Sequence, residues 1–456
     1  MRNPARNRGA MAAVGNTAAT KVVVMGLSGV LGILTSRMII SHFGTEAYGQ
    51  YGLLTNITSL LPFADLGIAA VLINTIAGSS NPRTDVQVRR TIVTAVRILL
   101  TSGSVIAGIG LLITLLGAWP TLLGNGLIPG SGSLAALFCL VAFGIALPLT
   151  VGQRILVGLE RTSTQVASQA VVAPFMFLSI LLLVAISAPA GSYLAVLSYI
   201  GNGLISVICL IIAARLISPQ LRLVLKELPR LKSAPGVPVM HTAWPMLAQM
   251  LALPIAMQTD RLLLSHLTTG DELARYNLAS QLFGIVLQTV ATAGVALWPI
   301  YAKARMNSSV QSPVRPTLWF FSGGLLLAGS LALASPWVAG FVSDGKIDLD
   351  PWLLGGFVLF AALQASKYPV GMYMTDKRGL RFQVLPILIL VPLNLVISWW
   401  LIGLIGPGGT IIGSAIAVAL CQVIPNFLYV RRDLARRRAE AKEKLDATAV
   451  AVAEDR

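Results

Sequence analysis

Seven charged side chains lie inside apolar stretches of this sequence that are long enough to span a membrane. They are Arg37, Asp65, Arg97, Arg154, Asp260, Arg261 and Lys367. A charge at the centre of a membrane helix costs roughly 2.5–3.5 kcal/mol even on a lenient scale, so each is expected to have a partner or a function. Five of the seven are cations, and arginine and lysine are side chains that bind phosphate oxygens. The set therefore predicts a site for an anionic ligand.

The composition is that of a membrane protein. Of the 456 residues, 55% are apolar and 11% are charged, whereas a soluble domain has roughly 25% charged residues. Lysine and arginine outnumber aspartate and glutamate by 34 to 18, and the net charge is +16. These figures exclude a cytosolic enzyme, a disordered chain and a disulfide-stapled secreted module. The three cysteines lie in apolar blocks without CxxC spacing, and we predict neither a metal site nor a cofactor.

Twelve apolar blocks have about the 20 residues that a transmembrane helix needs. In the first half they are Val22–Ile40, Gln50–Ala77, Ile92–Gly117, Leu134–Val157, Thr164–Ile186 and Ser192–Ala214. In the second half they are Ala243–His266, Asn277–Tyr301, Thr317–Val342, Trp352–Met374, Phe382–Ile405 and Thr410–Val430. We therefore predict an all-α integral membrane protein with twelve transmembrane helices.

Charge predicts the orientation of these spans. The N-terminus, every second loop after it and the C-terminal tail together carry 27 lysines and arginines, whereas the other loops carry two, Arg275 and Lys346. Basic loops stay on the cytoplasmic side of a membrane. Both termini are therefore predicted to be cytoplasmic, in a multi-pass protein of the cell membrane.

The sequence also contains an internal repeat. Span 1 ends with Arg37 and Ser41-His42, and span 7 ends with Arg261 and Ser265-His266, 224 residues later. Spans 4 and 10 show a weaker match at an offset of 217 residues. Six spans per half bring the second half into the membrane from the same side, which predicts two six-helix lobes related by a parallel pseudo-two-fold repeat along the membrane normal. The predicted segments are a basic N-terminus (1–21), an N-lobe (22–214), a basic linker (215–242), a C-lobe (243–430) and a charged tail (431–456).

The depth of each cation suggests a role. Arg37 and Arg261 lie near the outer ends of repeat-related spans. They either face each other across the axis as anion ligands or extend to the lipid headgroups. Arg154 has the same two alternatives near the cytoplasmic side. Arg97 and Lys367 lie deeper, and we expect them to bind a partner or the substrate.

The two acids in the spans have alternative roles as well. Asp65 lies at mid-depth, too far from Arg37 to pair with it and nearer to Arg97 or Arg154. It is either a structural partner or an ion or proton site. Asp260 has the same alternatives, and it does not face its sequence neighbour Arg261, because adjacent residues of a helix point in different directions.

The segment 36–68 resembles the opening of a known transporter family. The residues Phe43-Gly-Thr-Glu-Ala-Tyr-Gly-Gln-Tyr51, Ala64-Asp-Leu-Gly-Ile68 and later Gly158-Leu-Glu-Arg161 are similar to those of Wzx-type polysaccharide flippases. The resemblance implies a two-lobed helical fold shared with multidrug antiporters and lipid II flippases. It also implies movement of an undecaprenyl-diphosphate-linked oligosaccharide to the outer leaflet for polysaccharide biosynthesis. The implied partners are this substrate, membrane lipids, and polysaccharide polymerase and chain-length proteins, but no nucleic acid.

Together these observations predict a flippase, not an enzyme, that works by alternating access through a cationic central cavity. Two alternatives stay open. One is an ion-coupled exporter of drugs or other small molecules with the same fold. The other is an integral-membrane glycosyltransferase or polymerase, which needs catalytic acids in a large outer loop, whereas the longest predicted outer loop, 118–133, is uncharged.

Overall fold

The computed structural model of the chain consists of helices joined by short loops. It describes residues 4–61, 64–230, 259–295, 297, 301, 311–375, 377–437 and 439. Within these ranges the secondary structure is α-helix, short 3₁₀ turns and one π-helical segment, without a β-strand.

Eighteen α-helices are described, and the last of them, α18, covers 424–437 after the π-helical segment Ala419–Val423. The first eleven are α1 Pro4–Phe43, α2 Thr45–Thr55, α3 Ile68–Gly78, α4 Val86–Leu115, α5 Trp119–Leu123, α6 Gly132–Ala146, α7 Val151–Gly158, α8 Thr162–Ser168, α9 Val172–Ala185, α10 Leu194–Leu216 and α11 Gln220–Glu227. A short helix α12 covers 259–267. The others are α13 Gly270–Val295, α14 Val314–Ser343, α15 Pro351–Tyr373, α16 Lys377–Ile405 and α17 Gly408–Val418.

Nine helical stretches among the described residues are long and apolar enough to cross a membrane. They correspond to predicted spans 1, 3, 4, 5, 6, 9, 10, 11 and 12, which confirms a multi-pass all-α membrane protein. Residues 243–258 of predicted span 7, residues 231–242 of the linker and most of the tail lie outside the described residues. The total of twelve spans and the symmetry of the lobes therefore stay predictions.

The second predicted span, Gln50–Ala77, is not one continuous helix, and the prediction was wrong in this respect. Helix α2 ends at Thr55, a 3₁₀ turn covers Ile57–Leu60, and α3 begins at Ile68. Leu66 and Gly67 have φ angles of 47° and 71°, which lie in the left-handed region that a right-handed helix does not contain. Hydropathy reports how apolar a segment is but not its backbone conformation, so the sequence pattern missed this break.

The chain divides into two compact units. Unit 1 consists of Met1–Asn277 and Ala339–Asp348, and unit 2 consists of Leu278–Val338 and Leu349–Arg456. Unit 1 thus extends past the predicted linker to the first two turns of α13 and also includes the end of α14.

Helices α4 and α6 of unit 1 pack with their main chains in contact. A Cβ atom on Gly103 of α4 would lie 2.3 Å from the carbonyl oxygen of Gly144 on α6, and a Cβ atom on Gly144 would lie 2.6 Å from that of Gly103. Small residues allow membrane helices to approach this closely, so that dispersion contacts replace the hydrophobic driving force that lipid cannot supply.

Unit 2 is held by aromatic stacking and by a buried polar cluster. The rings of Phe283 and Phe357 are stacked with centroids 5.1 Å apart. The hydroxyl groups of Ser398 and Ser414 donate to Oδ1 of Asn394 over 3.1 and 3.0 Å, and all three side chains are buried. These bonds join α16 to α17 and satisfy polar groups that membrane interiors would otherwise penalise.

Candidate functional site

The break between α2 and α3 places Asp65 at a turn. The carboxylate oxygen Oδ1 of Asp65 accepts a hydrogen bond from the main-chain N–H of Gly67 over 3.0 Å. The hydroxyl of Ser102 on α4 donates to the carbonyl oxygen of Ala64 over 2.6 Å. Irregular backbone at membrane depth needs such internal partners, because lipid offers none. The break is therefore stabilised by hydrogen bonds within unit 1.

Asp65 also pairs with Arg154 of α7. The Nη2 atom of Arg154 lies 3.8 Å from Oδ2 of Asp65, and the side chains are 42% and 17% exposed, respectively. The sequence allowed Arg97 or Arg154 as the partner of Asp65, and the structure places Arg154 there. The separation is longer than a hydrogen bond, so this is an ion pair that a ligand or a small movement can separate.

Arg97 binds main-chain carbonyl groups at the end of a short helix. Its Nη2 and Nε atoms donate to the carbonyl oxygens of Glu227 and Leu228 over 2.8 and 3.1 Å. The same helix, α11, is held by Arg89, whose Nε lies 3.0 Å from the Glu227 carboxylate. Cations at the C-terminus of a helix stabilise it, because its last carbonyl groups are unsatisfied.

We expect the variant Arg97→Ala to lose the attachment of α11. Two charge-assisted hydrogen bonds disappear, so the unfolding temperature of the detergent-solubilised protein should fall by about 4 °C or more. Limited proteolysis should also cut the segment 216–230 faster. The control is Arg90→Ala, which removes an exposed arginine of α4, the helix that also carries Arg97. Equal unfolding temperatures for the two variants would contradict the capping role of Arg97.

The C-terminal end of α1 is fastened to the segment after α14. The Nη2 atom of Arg37 donates to Oδ1 of Asp344 over 2.8 Å, and its guanidinium carbon lies 4.2 Å from the ring centroid of Phe341. The ammonium group of Lys346 donates to the last carbonyl groups of α1, those of Ile40 and Ser41, over 3.4 and 3.3 Å. The Arg37 and Asp344 side chains are 36% and 42% exposed, so water and ligands can reach this ion pair.

Arg261 has a neutral partner, unlike Arg37. Its Nε atom donates to Oδ1 of Asn277 over 2.9 Å, and the amide nitrogen of Asn277 donates to the carbonyl oxygen of Gly49 over 3.2 Å. Asp260 is buried and accepts a hydrogen bond from the Tyr276 hydroxyl over 3.1 Å. The two arginines related by the sequence repeat thus lie in the same unit, while their facing across an axis stays a prediction.

Helices α2 and α13 meet in a close corner within unit 1, which we call the α2–α13 corner. It consists of Thr45, Gly49, Gly270, Asp271 and Asn277. The hydroxyl of Thr45 donates to the carboxylate of Asp271. A Cβ atom on Gly49 would lie only 2.7 Å from the carbonyl oxygen of Gly270. These contacts hold the starts of the two helices together with no room for a side chain at position 49.

A cavity of about 510 Å³ lies in unit 1 beside the break in the second span. It is lined by Thr55, Thr58, Phe143, Ala146, Leu147, Thr150, Gln153, Gln169, Val172, Ser198, Tyr199, Asn202, Ile205 and Ser206. None of these fourteen described residues is charged. Sequence reasoning that followed only charges missed this cavity, although hydroxyl and amide residues inside predicted spans 2, 4, 5 and 6 were a visible signal.

Lys367 lies in unit 2, on α15. Its Nζ atom is 6.0 Å from the ring centroid of the neighbouring Tyr368, which is within reach of a weak cation–π contact. In the described part of the chain no carboxylate lies within salt-bridge distance of it. The structure thus groups Asp65 with Arg154, and Arg37, Arg97, Arg261 and Asp260 have other partners. Lys367 belongs to unit 2, whereas the other six residues belong to unit 1.

Comparisons with known proteins identify the family. A family model described as polysaccharide biosynthesis protein matches residues 12–305, and no curated protein matches the chain. An inward-facing multidrug resistance MATE family transporter of the MOP superfamily has a similar fold, with a TM-score of 0.63 and 15% identity over 92% of this chain and 99% of that one. The lipid II flippase MurJ in an inward closed conformation has a TM-score of 0.67 and 11% identity over 94% of this chain and 92% of its own.

At identities of 15% and 11%, the similarity to the solved structures shows only the fold, which is that of a membrane transporter. The family is shown by the sequence match of the family model, which covers well over half of the chain. The resemblance found in segment 36–68 is thereby confirmed. The protein is a member of the polysaccharide biosynthesis protein family, with the membrane-transporter fold shared by the MATE transporters and the lipid II flippase.

Proposed function

We propose that the protein moves an undecaprenyl-diphosphate-linked oligosaccharide from the cytoplasmic to the outer leaflet of the cell membrane for polysaccharide biosynthesis. It does so by alternating access, with both termini in the cytoplasm. The family match over residues 12–305 is the observation that carries this proposal. The excess of cations among the charges in the spans supports it, because a diphosphate is an anion that needs compensating charge when it leaves water.

The cations predicted from the sequence are the proposed ligands of the diphosphate. They are Arg37, Arg261, Arg97, Lys367 and Arg154. Arg37 is the strongest candidate, since its guanidinium is partly exposed and its present partner is a carboxylate in a loop. A phosphate oxygen can replace that carboxylate with the same hydrogen-bond geometry. Asp65 and Asp260 serve as structural partners or as ion or proton sites.

A second candidate function is the ion-coupled export of small molecules. The length of the MATE family structure favours it, because this chain aligns with 99% of that one. The position of Asp65 disfavours it, since this acid is held by Gly67 and Arg154 rather than presented to a cationic drug. Overexpression separates the two functions, because an exporter confers drug resistance and a flippase does not.

The cellular test of the proposal is the fate of the lipid-linked oligosaccharide when the gene is deleted. We expect surface polysaccharide to disappear while the complete lipid-linked oligosaccharide accumulates in the membrane. A strain that lacks a glycosyltransferase is the control, because it loses both. Loss of the lipid-linked oligosaccharide together with the surface polysaccharide would instead indicate a role in its synthesis and would overturn the proposal.

A further inference from the structure

The uncharged cavity of unit 1 is unusually polar for its place in the fold. Nine of its fourteen lining residues carry a hydroxyl or an amide group, and they come from α2 and the 3₁₀ turn after it, from the α6–α7 and α8–α9 regions and from α10. Three of these four regions are parts of helical stretches able to cross a membrane. Polar groups at such depth are costly and mark functional sites. The volume of about 510 Å³ is within the range of small-molecule sites, about 300–1,000 Å³.

Hydrogen bonds inside the protein determine which donors and acceptors of this cavity are left for a ligand. Four of its hydroxyl groups donate to main-chain carbonyl oxygens, over 2.6 to 3.2 Å. The pairs are Thr55 with Tyr51, Thr150 with Leu147, Tyr199 with Leu54, and Ser206 with Asn202. A hydroxyl has one hydrogen to donate and two lone pairs that accept. With its hydrogen used inside the protein, each of these groups has only acceptor capacity left for a ligand.

A cavity rich in acceptors selects its ligand by chemistry. It disfavours phosphate, which also offers acceptors and carries negative charge, and without a carboxylate it gives an organic cation or a metal ion no counter-charge. It favours a neutral molecule with many hydroxyl donors. The amide groups of Gln153 and Asn202 each donate one hydrogen bond inside the protein, to the Ser206 hydroxyl and to the Ser198 carbonyl oxygen, both over 2.9 Å. An amide nitrogen has two hydrogens, so these groups and Gln169 can still add both donors and acceptors. The rings of Phe143 and Tyr199, packed edge to face with centroids 6.4 Å apart, add an apolar wall.

We propose that this cavity binds a sugar residue of the transported oligosaccharide. The inference rests on the proposed function and assigns two parts of the substrate to two different sites. The cations bind the diphosphate, and the neutral cavity of unit 1 binds the sugar. Substrate choice among different oligosaccharides then depends on the cavity residues rather than on the arginines.

The test compares two lipids and three variants. The probes are undecaprenyl diphosphate and the undecaprenyl-diphosphate-linked oligosaccharide extracted from the host strain, titrated onto the purified full-length protein in detergent. The variant Thr55→Val/Thr150→Val removes two cavity hydroxyls at nearly constant volume. Its matched control, Thr75→Val/Thr101→Val, removes two threonine hydroxyls that also bond to their own helices but lie outside the cavity. The variant Thr55→Ser/Thr150→Ser keeps both cavity oxygens.

We expect the cavity valine variant to bind the oligosaccharide lipid about tenfold more weakly, as the loss of two hydrogen bonds implies. Its binding of undecaprenyl diphosphate should stay unchanged, which also shows that it is folded. The control and the serine variant should bind both lipids like the wild type. Equal binding of the oligosaccharide lipid by the wild type and the cavity variant, or an equal loss for both lipids, would overturn the sugar site alone. If the wild type binds neither lipid, the proposed function fails as well.

Discussion

The variant Arg37→Ala should lose transport and Asp344→Asn should not, although the two residues form one ion pair. If Arg37 binds the substrate diphosphate, Arg37→Ala removes a charge-assisted, bidentate contact, and transport should fall about tenfold or more. Asp344→Asn removes only the carboxylate that now occupies the guanidinium, at 2.8 Å. Transport by this second variant should equal or exceed that of the wild type, because the phosphate no longer has a competitor.

This pair of variants separates substrate binding from a structural role. If Arg37 only fastens α1 to the loop at Phe341 and Asp344, both variants break the same contact and transport should fall by a similar factor in both. The measurement is the rate at which a surface polysaccharide appears after induction of each variant, normalised to protein abundance. Arg215→Ala, at an exposed arginine at the end of α10, is the control. A similar loss in both test variants would remove Arg37 from the proposed site. Arg261→Ala would then be the remaining test of diphosphate binding by this pair of arginines.

Gly49→Ala should also reduce transport about tenfold or more, through the shape of the α2–α13 corner. Its new methyl group would lie 2.7 Å from the carbonyl oxygen of Gly270, and main-chain atoms cannot yield without moving a helix. The variant therefore cannot form the closed corner that the structure contains. An alternating-access cycle that lacks one of its closed states leaves the path open or stops turnover.

Two measurements check this effect on the corner. Cysteines placed at positions 45 and 271 should form a disulfide readily in the otherwise wild-type protein, because Thr45 and Asp271 are hydrogen-bonded, and much more slowly with Gly49→Ala. The matched control is Gly284→Ala on α13, where an added Cβ atom has nothing within 4 Å and transport should be unchanged. Normal transport and normal disulfide formation in Gly49→Ala would show that closure of this corner is not part of the cycle.

Most of the fold could be predicted from the sequence because membrane spans are long apolar runs. The break at Leu66 and Gly67 could not, since it depends on two backbone angles inside a run that remains apolar. Pro62 lies in the same segment, but a proline is tolerated in a membrane helix as a kink and does not by itself predict an interruption. The depth of Asp65 allowed Arg97 or Arg154 as its partner, and the structure pairs it with Arg154.

The partners of the other charges were beyond sequence reasoning for a physical reason. Arg97 binds main-chain carbonyl groups more than a hundred residues away, and carbonyl groups are present at every position of a sequence. Arg37 pairs with Asp344, an acid of a short loop at a separation of 307 residues. The hydroxyl and amide residues of predicted spans 2, 4, 5 and 6 are visible in the sequence, but the cavity in unit 1 depends on which faces of these helices meet, and sequence alone does not show that.

The most direct test of the proposed transport is a flipping assay with purified protein in proteoliposomes. The vesicles contain the fluorescently labelled undecaprenyl-diphosphate-linked oligosaccharide of the host strain, and a membrane-impermeant quencher reports how much of it has reached the outer leaflet. We predict that the wild-type protein makes the initially protected lipid accessible, that Arg37→Ala/Arg261→Ala slows this strongly, and that labelled phosphatidylglycerol does not move. Accessibility no greater than in protein-free vesicles, or equal movement of phosphatidylglycerol, would contradict the assignment as a lipid-linked oligosaccharide flippase.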